Sequence, residues 1–177
     1  LPISKVVDII DIEQWFYHNK GEYAPPGGVN MAQRQYMRKI RTGGARFEDV
    51  YRAVSEYRLQ YPDKAVIYAA QKHPEMCWAS LMAGGSCAAI PVRDADVLQR
   101  IAAMQPVAST VTGVYWLKGP QAMLCHKQTA DALPVALESG TYVIFRIDEN
   151  TGAVQRLSTA KREATLQGKG VFLIRKK

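Results

Sequence analysis

Ile3-Ser4-Lys5-Val6-Val7-Asp8-Ile9-Ile10 runs directly into Asp11-Ile12-Glu13-Gln14-Trp15-Phe16-Tyr17-His18, and the fold turns on how this stretch is read. A near-continuous apolar strand is what a parallel sheet covered on both faces requires. The expectation is therefore a buried strand over residues 3–13. Parallel neighbours are reached through crossovers of about a dozen residues or more, so the partner of this strand lies later in the chain or upstream of Leu1. On that reading the chain begins in the middle of a fold.

Outward from this strand, the signals alternate. A Gly- and Pro-rich loop runs from Tyr17 to Val29, and Asn30 with Gln33 forms a capping box for a helix over 31–40. Phe47, Val50, Tyr51, Val54 and Tyr57 recur at three- and four-residue spacing, which predicts a helix from Phe47 to Gln60 stopped by Pro62. Residues 64–70 read as a second buried strand. A helix over about 75–89 follows, then one over 95–104 capped by Asp94. Strand, helix, helix, strand, helix, helix fits a right-handed βαβ unit, or equally the last quarter of a (β/α)8 barrel. A whole barrel takes about 250 residues, so this part is at most a segment of one.

The character changes near Pro106. Strands are expected at 114–118, 123–126, 133–137, 141–147, 154–157 and 170–175, with turns at Gly119-Pro120, Glu138-Ser139-Gly140 and Asp148 to Gly152. Such spacing suggests a small β-sandwich. The expected organisation is an α/β, TIM-like barrel portion over 1–107 and an all-β sandwich over 108–177.

At 177 residues, 47% hydrophobic and 22% charged, the composition is that of an ordinary globular chain. The net charge of +7 divides into +2 for residues 1–107 and +5 for 108–177. The basic residues are scattered without interleaved aromatics, which argues against a nucleic-acid partner. No apolar run reaches the roughly 18 residues of a membrane span, and no secretory leader opens the chain. Cys77, Cys87 and Cys125 lack ligand spacing, so neither a metal nor a disulfide framework is expected. All three read as small buried groups, with Cys77 and Cys87 on one helix and about 15 Å apart. No cofactor motif is present; the pair Gly84-Gly85 reads as close helix packing.

Two residue groups could carry chemistry. Along the first strand Asp11 and Glu13 share a face with Val7 and Ile9, whereas Asp8 shares the other with Ile10 and Ile12, toward the helices. At the C-terminal end of a barrel strand, Asp11 and Glu13 would reach the pocket mouth. Glycosidic cleavage uses two carboxyl groups, and Trp15 and Tyr17 can stack on sugar rings, with His18 beside them. The bland alternative is a salt-bridged strand end. Asp11 and Glu13 lie about 6.5 Å apart along the strand, so the full catalytic pair is expected to draw on another strand. The second group, Gln71, His73, Glu75 and Trp78, follows the second strand; its alternative is a strand-to-helix loop with Pro74 at the helix start.

The segments Val7 to Trp15, Tyr23-Ala24-Pro25-Pro26-Gly27-Gly28-Val29-Asn30, Tyr51 to Arg58 and Trp78 to Ser86 resemble a bacterial family of glycoside hydrolases from polysaccharide-degrading systems, largely of unknown function. Gly140 to Gly152 resembles the β-sandwich common behind such barrels. The resemblance implies a periplasmic or secreted parent enzyme acting on a glycan, with this chain as its C-terminal part. It implies Glu13 and Asp11 as catalytic residues and Trp15, Tyr17, His18, Gln71, His73 and Trp78 as sugar contacts. Where glycosidase barrels often carry a late carboxylate, this chain has Gln71. A non-catalytic carbohydrate-binding or structural module is the alternative function. Self-association, or pairing with a missing N-terminal barrel part through the open strand edge, is expected.

Overall fold

The computed structural model describes residues 7–12, 16–17, 23–24, 46–68 and 76–177. The chain divides into two compact units, Leu1–Ala89 and Ile90–Lys177. The expected helix at 31–40 lies outside the described residues.

In the first unit, β1 (Ile9–Asp11) pairs in parallel with β4 (Ala65–Ile67), with Ile9 opposite Ala65 and Asp11 opposite Ile67. Between them come β2 (Phe16–Tyr17) and β3 (Tyr23–Ala24), an antiparallel pair that overlaps the loop expected from Tyr17 to Val29, and α1 (Phe47–Gln60). A parallel pair with a helix in its crossover is the βαβ arrangement expected. Among the described residues this parallel sheet has two strands and closes no barrel. The first strand is not buried on both faces. Ile10 and Ile12 are buried, but Asp8 and Asp11 are exposed and Ile9 is 55% exposed. One face is packed, so alternate residues meet solvent.

Helix α1 matches its predicted bounds because its signals are local. Phe47, Val50, Ala53 and Val54 form the buried stripe. Glu48 and Asp49 occupy the first turn, where the helix dipole favours acids, and Arg46 pairs with Asp49 at 2.8 Å. Pro62 follows the end at Tyr61.

Helix α2 (Met76–Met82) is shorter than expected. Gly84 adopts φ +80, its N–H donates to the carbonyl of Leu81, and the Gly85 N–H donates to that of Ser80. These two bonds form a Schellman ending. Cys87 therefore lies beyond the helix and is exposed, while Cys77 and Cys125 are buried as expected. Ser86 N–H donates to the Val66 carbonyl at 2.7 Å, which ties the ending to β4. A Cβ at Gly85 would lie 2.3 Å from Ser80 Oγ, 2.8 Å from Ser80 O and 3.2 Å from Val54 Cγ1, so the glycine pair serves close packing. Gly85→Ala is expected to cost about 2 kcal/mol by overpacking, read as a lower midpoint in urea unfolding of the full-length protein. An unchanged midpoint would mean that the ending relaxes freely.

The second unit opens with α3 (Ala95–Ala102), where Asp94 Oδ1 accepts the Val97 N–H at 3.1 Å as the predicted cap. Six of its eight strands each overlap an expected one: β6 (Val114–Lys118), β7 (Ala122–Lys127), β8 (Leu133–Ala136), β9 (Tyr142–Ile147), β10 (Val154–Ala160) and β12 (Gly170–Lys176). β5 (Gln105–Val107) and β11 (Glu163–Leu166) were not expected. Six strands form one antiparallel sheet in the order β10-β9-β12-β7-β6-β5, and β8 with β11 forms a second. The two sheets share a core of Val114, Cys125, Val135, Ile144, Leu166 and Phe172. This is a C-terminal sheet domain. It begins earlier than the composition change at Pro106 suggests, because β5 pairs with β6 and Asp96 of α3 binds Arg175 of β12 at 2.9 Å.

Candidate functional site

In parallel sheets with helical crossovers, loops that follow strand C-termini gather functional groups, and the opposite end serves stability. The β1–β4 pair has this polarity. At its N-terminal end the nearly buried Lys64 donates Nζ to the Val7 carbonyl at 2.6 Å, and the Ala65 N–H donates to the Asp8 carbonyl at 3.0 Å. Arg58 Nη1 donates to the Lys64 carbonyl at 3.1 Å. These bonds stitch the strand starts together.

At the other end stands Asp11, exposed, at the last position of β1 and opposite Ile67. The Ile12 N–H donates to the Ile67 carbonyl at 3.0 Å, so both chains leave the sheet from the same end. Parallel register thus puts Ile12 and Tyr68 at the same end of the pair. Glu13, Trp15, His18, Gln71 and His73 lie outside the described residues, as does Glu75. The backbone of Tyr17 pairs with Tyr23 in the β2–β3 ladder. Trp78 is fully buried within α2, which makes its ring part of the core of the first unit and removes it from direct contact with a sugar. Asp8, expected to face the helices, is exposed just before β1.

The second unit holds a titratable pair that sequence reading missed. His126 of β7 is buried, with Nε2 3.6 Å from Glu149 Oε2. The approach of His126, aided by the nearby Arg146 guanidinium, holds the Glu149 carboxyl below the usual carboxylate range against the opposing effect of burial. The two residues are 23 positions apart, and only sheet pairing brings them together. Among the described residues no cluster of three or more His, Cys, Asp or Glu side chains could hold a metal, and no helix is long and apolar enough to cross a membrane.

Residues 2–104 match the family model described as Domain of unknown function (DUF6298). The chain belongs to the DUF6298 family. No curated protein matches the sequence. Among solved structures, this DUF6298 chain is similar to a protein titled glycoside hydrolase, at 11% identity and a TM-score of 0.53 over 85% of this chain and 50% of that one. It is also similar to a glycoside hydrolase family 5 protein from Bacteroides vulgatus ATCC 8482, at 11% identity and a TM-score of 0.52 over 73% of this chain and 45% of that one. The DUF6298 chain spans about half the length of these structures. At such identity the likeness concerns fold, and the fold is glycoside-hydrolase-related.

Proposed function

We propose that this chain is the C-terminal part of an exported glycoside hydrolase, in which β1 and β4 are neighbouring staves of a (β/α)8 barrel and the second unit is the appended β-sandwich. The observation that carries the reading is the parallel β1–β4 pair with the exposed acid Asp11 at its C-terminal end. Support comes from the fold shared with glycoside hydrolases over most of this chain.

In this reading Glu13, two residues beyond Asp11 in the sequence, is a carboxyl group of the glycosidic cleavage pair. Asp11 orients it or binds a sugar hydroxyl. Trp15, Tyr17 and His18, and Gln71 and His73 later in the sequence, are assigned as sugar contacts. The other carboxyl of the pair comes from another strand of the parent enzyme, so the chain alone is expected to turn over no glycan.

The test is hydrolysis of a broad panel of plant and microbial glycans by the full-length parent. Glu13→Gln is expected to lower kcat at least ~100-fold, the usual scale for a lost acid or base. Asp11→Asn is expected to cost less, with part of its effect in KM. Wild-type turnover in both variants would remove this strand end from the mechanism.

A further inference from the structure

Two hollows flank the turn Gly119–Ala122 between β6 and β7. One, of about 300 Å3, is walled by that turn and by Asp96, Gln99 and Arg100 of α3, with Met104 beneath. The other, of about 140 Å3, is walled by the same turn and by Lys118, Glu138, Tyr142 and Lys176. Side chains alternate across the sheet, so Lys118, Tyr142 and Lys176 stand on one face and Ala122 and Arg175 on the other. The hollows therefore lie on opposite faces of one sheet end and meet over the turn.

Each hollow has one carboxylate serving two cations. Asp96 accepts Arg100 Nε at 3.0 Å and Nη2 at 2.9 Å, and also Arg175 Nη1 at 2.9 Å. Glu138 accepts Lys118 Nζ at 3.1 Å and lies in the field of Lys176. Two cations for one carboxylate leave a positive charge over on each side of the turn. These pairs are exposed or half-exposed, and such pairs rearrange for about 1 kcal/mol or less, so an arriving anion can compete for the cations. The carboxamides of Gln99 and Gln121 make no side-chain hydrogen bond among the described residues. Each offers a donor and an acceptor to the larger hollow.

We propose that this end of the sheet binds an acidic polysaccharide, with an anionic sugar unit in each hollow and the glycan chain crossing the Gly119–Ala122 turn. Single-stranded nucleic acids are held by stacking on exposed aromatic rings. Tyr115, Tyr142 and Phe172 are buried and Trp116 and Phe145 half-buried, which accounts for every aromatic residue of the second unit. Sugar hydroxyls are instead met by fixed amide and guanidinium edges, which Gln99, Gln121 and Arg100 supply. The choice of a glycan over other anions rests on the carbohydrate reading above; the site itself uses none of the residues assigned to cleavage.

The experiment is calorimetric titration of the full-length protein with an oligogalacturonate of defined length, its fully methyl-esterified uncharged form, a sulfated oligosaccharide, and a single-stranded oligonucleotide of equal charge. The acidic sugars are expected to bind, roughly fivefold more weakly when salt rises from about 50 to about 150 mM. Lys118→Gln with Lys176→Gln, and separately Arg100→Gln, are expected to weaken binding about three- to tenfold and to flatten the salt dependence. Gln99→Ala with Gln121→Ala should weaken binding while keeping the salt slope. Equal binding of the esterified form, equal or tighter binding of the oligonucleotide through the same residues, or no binding of either acidic sugar would overturn the proposal. Hydrolysis by the Asp11 and Glu13 variants is scored separately. Lost acidic-sugar binding with intact glycan turnover rejects this site alone, and the converse rejects only the cleavage reading.

Discussion

Gly152→Ala is expected to destabilise the protein by about 4 kcal/mol, near the upper end for a single substitution. Gly152 ends the turn after β9 at φ +72, a region where an L-residue is strained by about 1 kcal/mol. A Cβ there would lie 2.4 Å from Pro91 O, 2.5 Å from Pro91 C and 2.6 Å from Val92 N. All three are backbone atoms, so no rotamer change relieves the clash. The turn cannot retreat cheaply either. Asp148 Oδ1 accepts the N–H groups of Asn150 and Thr151 and the Thr151 hydroxyl, and the Gly152 N–H donates to the Asp148 carbonyl at 2.9 Å. Gly168→Ala is the matched control, because Gly168 has φ +74 with nothing within 4 Å of its would-be Cβ. It should cost only the strain, about 1 kcal/mol. Thermal unfolding of the two full-length variants checks this: Gly152→Ala should melt well below Gly168→Ala, and coincident melting curves would refute close packing against Pro91.

The same contrast between local and distant causes decides what the sequence made legible. The periodicity of Phe47, Val50 and Val54 and the cap at Asp94 act within a few residues, and α1 and the start of α3 lie where they predict. The signal for the strand expected at 141–147 is equally local, and β9 covers Tyr142–Ile147. Local reading failed at α2, where small residues looked compatible with a continuing helix but the Gly84 and Gly85 hydrogen bonds stop it. It failed at β5, whose residues are all exposed and whose strand identity comes only from pairing with β6. The position of Asp11 at the C-terminal end of β1 was legible, since it follows from the apolar run before it and the strand's direction. The two hollows were not, because Asp96 and Arg175 are 79 positions apart and neither carries a motif of its own.

Lys127 was likewise invisible as a special residue, and its replacement should rank with Gly152→Ala. It closes β7, is 1% exposed, and its Nζ donates to the carbonyls of Thr129 and Gly168, both at 2.7 Å. Its backbone position pairs with Val114 of β6 on one side and Gly170 of β12 on the other. One ammonium group thus holds the exit of β7 against the turn that enters β12. Lys127→Met keeps most of the volume and removes the donor, leaving two carbonyls to find water. With hydrogen bonds to a charged group contributing about 1.5–3 kcal/mol, and with the relief of no longer burying an ammonium acting in opposition, a net loss of about 2 kcal/mol is expected. Lys127→Ala adds a cavity and should cost about 4 kcal/mol. Cys125, two residues away on the same face, supplies a local readout. Burial pushes its thiol up to about 12, only partly countered by the Lys127 charge, so the thiol is inert until the domain opens. Mass spectrometry of peptide-resolved alkylation near pH 8 should therefore show Cys125 labelled roughly 30-fold faster in Lys127→Met, in line with a loss of about 2 kcal/mol in opening free energy. Exposed Cys87 should be labelled at an unchanged rate. Equal or slower Cys125 labelling in Lys127→Met would mean that desolvating the ammonium outweighs its two hydrogen bonds, and that the clasp between β7 and β12 is held by the strand ladder alone.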